Sequence, residues 1–357
     1  VTVPLLRRLH TRGVAAVATA AVSSLLLAGC VGGSATGSGD AGSGSSGAGG
    51  AVIHLVGYSV PKEANGAIEK KFQASPAGQG VTFEEAYGPS GDQSRAVVNG
   101  LAADYVSFSL EPDVTRLVKA GLVDTSWNAG PTKGMVADSV VVIAVRKGNP
   151  KGIKGWDDLI KPGIKIITPN PASSGSARWN TLAAYQHTIS DGGTPAQAKD
   201  YLTQFFSHVQ SLPGSGRDAT NAFLDGDADA LISYENEAIL ARQSGEDFDY
   251  VVPDETVLIE NPAAVTTKAT PKAKDYLDFV LSADGQAEFA AKGFRPVVKG
   301  TPTGTVEGAN DPAQPFPTPA KLTTIADLGG WESVNTKFFE DKTGIVPQVQ
   351  QATGKSQ

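Results

Sequence analysis

The 357-residue sequence has one cysteine, Cys30, and one methionine. A single thiol excludes any intramolecular disulfide, and with no cysteine after position 30 the folded part of the chain has no thiol nucleophile. Histidine is nearly as scarce. His10, His54, His187 and His208 are the only four, and none stands in a metal-ligand spacing such as His-Glu-x-x-His, so they read as packing or surface residues. No Gly-x-Ser-x-Gly elbow occurs in the folded region, because Gly88-Pro89-Ser90-Gly91-Asp92 lacks the last glycine. Gly354-Lys355-Ser356 resembles the end of a P-loop, but Val349 replaces the first glycine. Positive charge is also short: 30 Lys and Arg face 37 Asp and Glu, which disfavours nucleic-acid binding.

The N-terminal stretch carries Arg7, Arg8 and Arg12 and then an uncharged apolar run from Val14 to Leu27. That run is shorter than the roughly 20 residues a bilayer-spanning helix requires. It ends in Leu27-Ala28-Gly29-Cys30, the pattern of a secretory signal closing on a lipobox, so residues 1–29 are expected to be a signal peptide and Cys30 the lipidated residue. Removing 1–29 takes away three arginines and no acid, leaving a formal charge of about −10. From Val31 to Gly50 the chain is almost wholly Gly, Ser and Ala, so 30–50 reads as a flexible tether.

Strand-like and helix-like segments then alternate, which implies an α/β protein with helices flanking a mixed sheet. Strands are expected at Ala51 to Val56, Val81 to Tyr87 and Asp104 to Leu110, with helices between and after them. Ser59 is expected to cap the first helix, which shows Ala64, Ile68 and Phe72 on one face. The pattern restarts at Ser139 to Val145 and continues through Ile164 to Thr168 and Asp229 to Tyr234. One long helix is expected from Lys272 to Lys292, and another helical stretch around Trp331 to Phe339.

Three Gly/Ser-rich turns fall where a strand passes into a helix: Gly57-Tyr58-Ser59, Gly88-Pro89-Ser90-Gly91 and Ser173-Ser174-Gly175-Ser176. Ligands of open α/β sheets bind at such carboxyl ends of strands. A helix N-terminus offers unpaired N–H groups and about half a unit of positive charge, which suits an oxyanion. Residue chemistry reaches that far.

At the same turns the chain resembles the sulfate- and thiosulfate-binding proteins of bacterial ABC importers. The resemblance is carried by Gly88-Pro89-Ser90-Gly91-Asp92-Gln93, by Ile167-Thr168-Pro169-Asn170-Pro171, by Ser174-Gly175-Ser176-Ala177-Arg178-Trp179-Asn180 and by Glu235-Asn236-Glu237-Ala238, and it spans about residues 52 to 340. It implies a two-lobed type II periplasmic-binding-protein fold, each lobe a mixed sheet flanked by helices, with a hinge and an interlobe cleft. It also implies that a dehydrated sulfate is held by the backbone N–H groups of Ser59, Ser174, Gly175, Ser176 and Gly216 and by both the N–H and the hydroxyl of Ser90. Ser176 stands where glycine is usual and Ser59 where aspartate is common. Tyr234 stands where a tryptophan donates its indole N–H, and its hydroxyl has a different reach. Arg178 and Arg217 are implied to stand behind the turns and polarise the peptides, with Asp113 balancing one of them.

The expected organisation is a signal peptide over 1–29, lipidated Cys30 and tether over 30–50, lobe 1 from 51–137 plus 238–300, lobe 2 from 138–237, and a C-terminal helical segment, 301–357, packing on the lobes. The expected function is capture of sulfate, or thiosulfate, and delivery to ABC permease subunits from a monomer tied to the outer membrane face by its lipid. No cofactor, metal or catalysis is expected. Molybdate and phosphate are the alternative ligands, and an oxyanion-processing enzyme the alternative class.

Overall fold

A computed structural model describes residues 50–355; the expected signal peptide, Cys30 and nearly all of the tether lie outside them. The first strand, β1 (Val52–Tyr58), buries Ile53, Leu55 and Val56, so both its faces are covered. A strand covered on both faces suits parallel neighbours joined by helical crossovers. Helix α1 (Lys62–Ala74) leads to β2 (Thr82–Gly88), and α2 (Ser90–Val98) to β3 (Tyr105–Ser107); both strands pair parallel with β1. Phe72 of α1 stacks edge-on against Phe83 of β2, with 6.4 Å between centroids. Ser59 does not cap α1. Pro61 precedes the helix without a side-chain cap, and the Ser59 carbonyl accepts from the Lys62 N–H at 3.5 Å.

After α3 (Glu111–Lys119) comes the twelve-residue strand β4 (Met135–Arg146). A short 3₁₀ helix, Trp156–Ile160, precedes β5 (Ile166–Ile167), α4 (Gly175–Ser190), α5 (Pro195–His208), β6 (Val209–Ser211), α6 (Gly216–Asp225), β7 (Ala230–Tyr234), α7 (Glu235–Gln243), β8 (Phe248–Val251) and β9 (Glu255–Val265). The main sheet order is β2-β1-β3-β9-β4-β7-β5-β6, with β8 added beside β4. β4 and β9 each run through two halves of the sheet. Near Met135–Val140, β4 pairs with β9, whose far end pairs with β3; beyond Val141, β4 pairs with β7 and β8.

That pairing differs from the expected return to lobe 1 at residue 238. Phe248 and Tyr250 of β8 pack with Val142, Ala144 and Leu231, so α7 and β8 lie with β7, and the chain returns only along β9. The long helix expected over 272–292 is two. α8 (Pro271–Val280) ends where the Ser282 hydroxyl accepts from the Gly285 N–H and starts α9 (Ala283–Ala291). Serine competes for backbone N–H groups, and this favours a cap over a helix interior.

The remaining elements are β10 (Lys321–Thr323), parallel to β9, then α10 (Gly330–Val334) continuing into a π-helical turn, Asn335–Phe339, and α11 (Ile345–Ala352). The C-terminal segment packs on α4: Trp331 meets Trp179 edge-on at 4.9 Å and Phe338 meets Tyr185 at 4.8 Å. Among the described residues no helix is long and apolar enough to cross a membrane.

Candidate functional site

Four helices begin at one crossing point of the two sheet halves: α1 and α2 from the β1–β3 side, α4 and α6 from the β7 side. The first turn of any helix has N–H groups with no carbonyl one turn back. Among the described residues the amides of Ser59, Ser90, Gly175, Ser176 and Gly216 donate to no carbonyl or side chain. Ser90, Gly175, Ser176 and Gly216 are buried and Ser59 is half-buried. Burying an unpaired amide costs roughly 1–3 kcal/mol, so a group of them requires a common acceptor.

Steric contacts hold these turns together. A side chain at Gly216 would place its Cβ 2.7 Å from the Ser176 hydroxyl and 3.1 Å from Val60, the residue after Ser59. At Gly175 a Cβ would come within 2.4 Å of the Ser109 hydroxyl. Glycine at both positions is therefore a requirement of close approach between the halves. The halves are also bonded to each other: the Gly91 N–H donates to the Ser173 carbonyl at 3.3 Å, and the Trp179 indole N–H to the Ser109 carbonyl at 2.9 Å.

Not every anticipated donor is free. The Ser174 N–H donates to the Asn170 carbonyl at 2.9 Å, because the Asn170-to-Ser174 turn closes on itself before α4 starts. The Ser90 hydroxyl donates to Asp113 Oδ2 at 2.6 Å and accepts from the Ser109 N–H at 3.0 Å. Its proton is committed to a carboxylate, so in this geometry Ser90 offers the site its amide alone. Asp113 in turn pairs with Arg116 at 2.8 Å, a neighbour on α3, and not with Arg217.

Tyr234 ends β7 fully buried, and its hydroxyl lies 2.7 Å from the Ser109 hydroxyl. Burial pushes its phenol well above the ordinary range, and Glu237 adds to this, so it stays a neutral donor. Tyr58, also buried, has a hydroxyl without a partner; burial foremost, then the nearby Tyr234 and Glu237, raises it as well.

The two arginines do different work. Arg217, on the first turn of α6, reaches Glu237 Oε1 at 2.8 Å and Glu63 Oε1 at 2.9 Å, and it also donates to the Val60 carbonyl. Burial opposes its charge, but the two carboxylates outweigh burial and raise its pKa. Glu63 sits on α1 and Arg217 on α6, so the pair spans the two halves. Arg178 lies over the Phe339 ring at 4.7 Å and donates to Asn335 Oδ1 at 3.0 Å; burial lowers its pKa, and Asp113 partly offsets this. Among the described residues, Arg178 and Arg217 bond carboxylates, a side-chain amide and carbonyls, and not the amides above.

Ser109 was not singled out from the sequence, yet it bonds Ser90, Tyr234, Trp179 and Asn261. Its signal was a strand end placed too late: β3 stops at Ser107, which leaves Ser109 in a fourth strand-to-helix turn. Glu63 and Glu237 were missed because nothing local marks them as partners of Arg217. The arrangement is a set of neutral N–H and O–H donors, and the buried carboxylates beside it, Asp113 and Glu237, have their oxygens engaged. It can surround a small oxyanion.

The profile of a bacterial extracellular solute-binding protein family matches residues 53–295. The chain is 42% identical over 312 residues to the sulfate-binding protein of Synechococcus elongatus, covering 84% of this chain and 87% of that one. It is 33% identical over 299 residues to the thiosulfate-binding protein of Pseudomonas aeruginosa, covering 81% and 87%. Among solved structures it superposes on the sulfate-binding protein SubI of Mycobacterium tuberculosis with a TM-score of 0.77 at 46% identity, covering 81% of this chain and 100% of that one.

Proposed function

We propose that this chain, which belongs to the family of bacterial extracellular solute-binding proteins, is the sulfate-capturing component of an ABC importer. The observation that carries the reading is the group of unpaired amides at Ser59, Ser90, Gly175, Ser176 and Gly216, gathered from four helix starts on two halves of the sheet. Tyr234 adds a hydroxyl at the point where the halves meet. The relatives named above for sulfate and thiosulfate binding support the ligand class.

Selectivity follows from protonation. Sulfate carries no proton at neutral pH, whereas phosphate keeps one for part of its population, with a second pKa near 6 to 7. A donor-only site leaves that proton facing another donor, at roughly 1–3 kcal/mol. The engagement of the buried carboxylates close to the turns sharpens this: Asp113 and Glu237 each have both oxygens bonded, and none is left unbonded to receive the phosphate proton. Thiosulfate presents three of the same oxygens and one larger sulfur, so the two ligands compete for one site.

The lobes are best bounded on β4 and β9, which pair with each other while β9 continues onto β3 in one half and β4 onto β7 in the other. In this structure α1 and α2 already stand against α4 and α6, joined by the Gly91–Ser173 and Arg217–Glu63 bonds; opening about these strands would admit the anion, and closure would expel water and complete the donor set. The closed monomer is then what permease subunits recognise, held at the outer membrane face through Cys30 and the 30–50 tether. Binding without turnover distinguishes this reading from an oxyanion-processing enzyme.

Calorimetric titration of the dialysed protein with sulfate, thiosulfate, molybdate and phosphate tests the reading. One equivalent of sulfate or thiosulfate is expected to bind at least about a hundredfold more tightly than phosphate, the equivalent of roughly 2.7 kcal/mol. Tighter binding of phosphate or molybdate, or consumption of the ligand, overturns it.

A further inference from the structure

His187 lies in the last turn of α4 with its side chain 8% exposed, edge-on to the Tyr201 ring at 5.4 Å. Its Nε2 is 3.0 Å from Asp157 Oδ1. A carboxylate only accepts, so Nε2 carries a proton, and in the neutral ring, the form that binds a metal, Nδ1 presents a lone pair. That Nδ1 is shielded from solvent and has no hydrogen-bond partner. The oxygens facing it are Asp191 Oδ2 at 3.7 Å and Glu255 Oε2 at 3.9 Å. A buried lone pair against two carboxylates is repulsive unless a cation sits between them.

Lys321 does not fill that place. Its ammonium holds the far oxygens, Asp191 Oδ1 at 2.8 Å and Glu255 Oε1 at 3.2 Å, and this turns the near oxygens toward His187.

We propose that His187 Nδ1, Asp191 and Glu255 bind one divalent transition cation of the zinc class, at a site separate from the anion-binding turns. Their three ligand atoms all lie within 4.8 Å of one another. Ligand atoms about 2.1 Å from a tetrahedral zinc are about 3.4 Å apart, so modest side-chain rotation closes the site. Asp157 behind the ring supplies the carboxylate that orients a metal-ligating histidine. A groove of about 380 Å³, lined in part by Asp157, His187, Asp191 and Asp200, gives entry and leaves a fourth position for water. One imidazole with two carboxylates suits zinc better than magnesium or calcium, which favour oxygen alone. The bound ion would tie the end of α4 to the start of β9, the strand that links the two halves.

The test is titration of the chelator-treated protein with zinc chloride, in parallel with magnesium chloride, on the wild type and on the variants His187→Gln, Asp191→Asn and Glu255→Gln. One equivalent of zinc is expected, weakened roughly tenfold or more by each substitution, while sulfate affinity changes less than about twofold. The ¹⁵N resonance of His187 Nδ1 is expected to shift on zinc addition. Absence of saturable zinc binding overturns the site, as does binding unmoved by Asp191→Asn and Glu255→Gln, or a His187 ring that zinc leaves unperturbed. Equal competition by magnesium overturns the zinc-class assignment. None of these outcomes depends on sulfate being the anion.

Discussion

The Tyr234 hydroxyl is worth removing first, because it ties the end of β7 in one half to Ser109 of the other. Tyr234→Phe keeps the ring volume and deletes that junction. Sulfate affinity is expected to fall by roughly 5- to 30-fold, about 1–2 kcal/mol for one hydrogen-bonding group in a desolvated site. The melting temperature should move little, and calorimetry beside a thermal scan separates the two effects. Ser90 behaves differently. Its hydroxyl satisfies Asp113 and the Ser109 N–H, both buried, so Ser90→Ala should lower folding stability by about 1–3 kcal/mol, read from denaturant midpoints. Any loss of sulfate affinity would come through the displaced Ser109 and the amide of residue 90. A Ser90→Ala protein of unchanged stability would show that the Asp113 bond is dispensable.

The break between α8 and α9 shows how one residue sets an element boundary. The region has helix-forming residues throughout, yet Ser282 caps a new helix and Gly285 lets its first turn pass close to the old one. A Cβ at Gly285 would lie 2.4 Å from the Phe279 carbonyl and 2.6 Å from that of Val280. Gly285→Ala should destabilise by about 1–3 kcal/mol through overpacking against backbone that cannot yield, and Ser282→Ala by about 1 kcal/mol through the lost cap. Chemical denaturation of both variants tests this; a stabilised Gly285→Ala protein would mean that the two helices can merge. Much of this scale was legible beforehand. The strand-helix alternation and the apolar face of α1 follow from local spacing. The absent cap at Ser59 and the cap at Ser282 did not, because a serine before a helix looks the same whether its hydroxyl or its carbonyl is used.

Across the whole molecule, buried carboxylates set the pH response. Burial foremost, and then Glu260, pushes Asp138 up to about 7, with Arg295 partly opposing. Burial and Glu85 likewise raise Glu69. In the window between the ordinary carboxylate pKa of about 4 and about 7, native Asp138 holds a proton that the unfolded chain has released. The native state binds more protons there, so stability falls as pH rises, by up to about 4 kcal/mol for Asp138. Asp104 and Glu63 have pKa values lowered by His54 and Arg217 respectively, against the opposing effect of burial, and their contribution is lost only below about pH 4. Maximum stability is therefore expected near pH 4 to 5, and Asp138→Asn should flatten the decline toward pH 7. A melting temperature that rises from pH 5 to 7 would contradict this. Closure is a second property at this scale. Glu63 is partly exposed, so Glu63→Gln should speed sulfate release only a few-fold, as stopped-flow displacement would show. Replacing Arg217 by Met leaves Glu237 buried without its cation and should cost stability by roughly 3–5 kcal/mol.

The alternation of strands and helices and the Gly/Ser turns at strand ends were determined by the sequence itself. These depend on backbone preferences and side-chain size within a few residues. The tertiary structure alone decided where each polar proton points. Ser90 gives its hydroxyl proton to Asp113, 23 residues on, and Arg217 finds Glu63 at a separation of 154. The return of the chain along β9, and not at residue 238, was likewise a matter of strand pairing. Hydrogen-bond direction and ion pairing act over a few ångströms in space, and folding brings distant residues into that range.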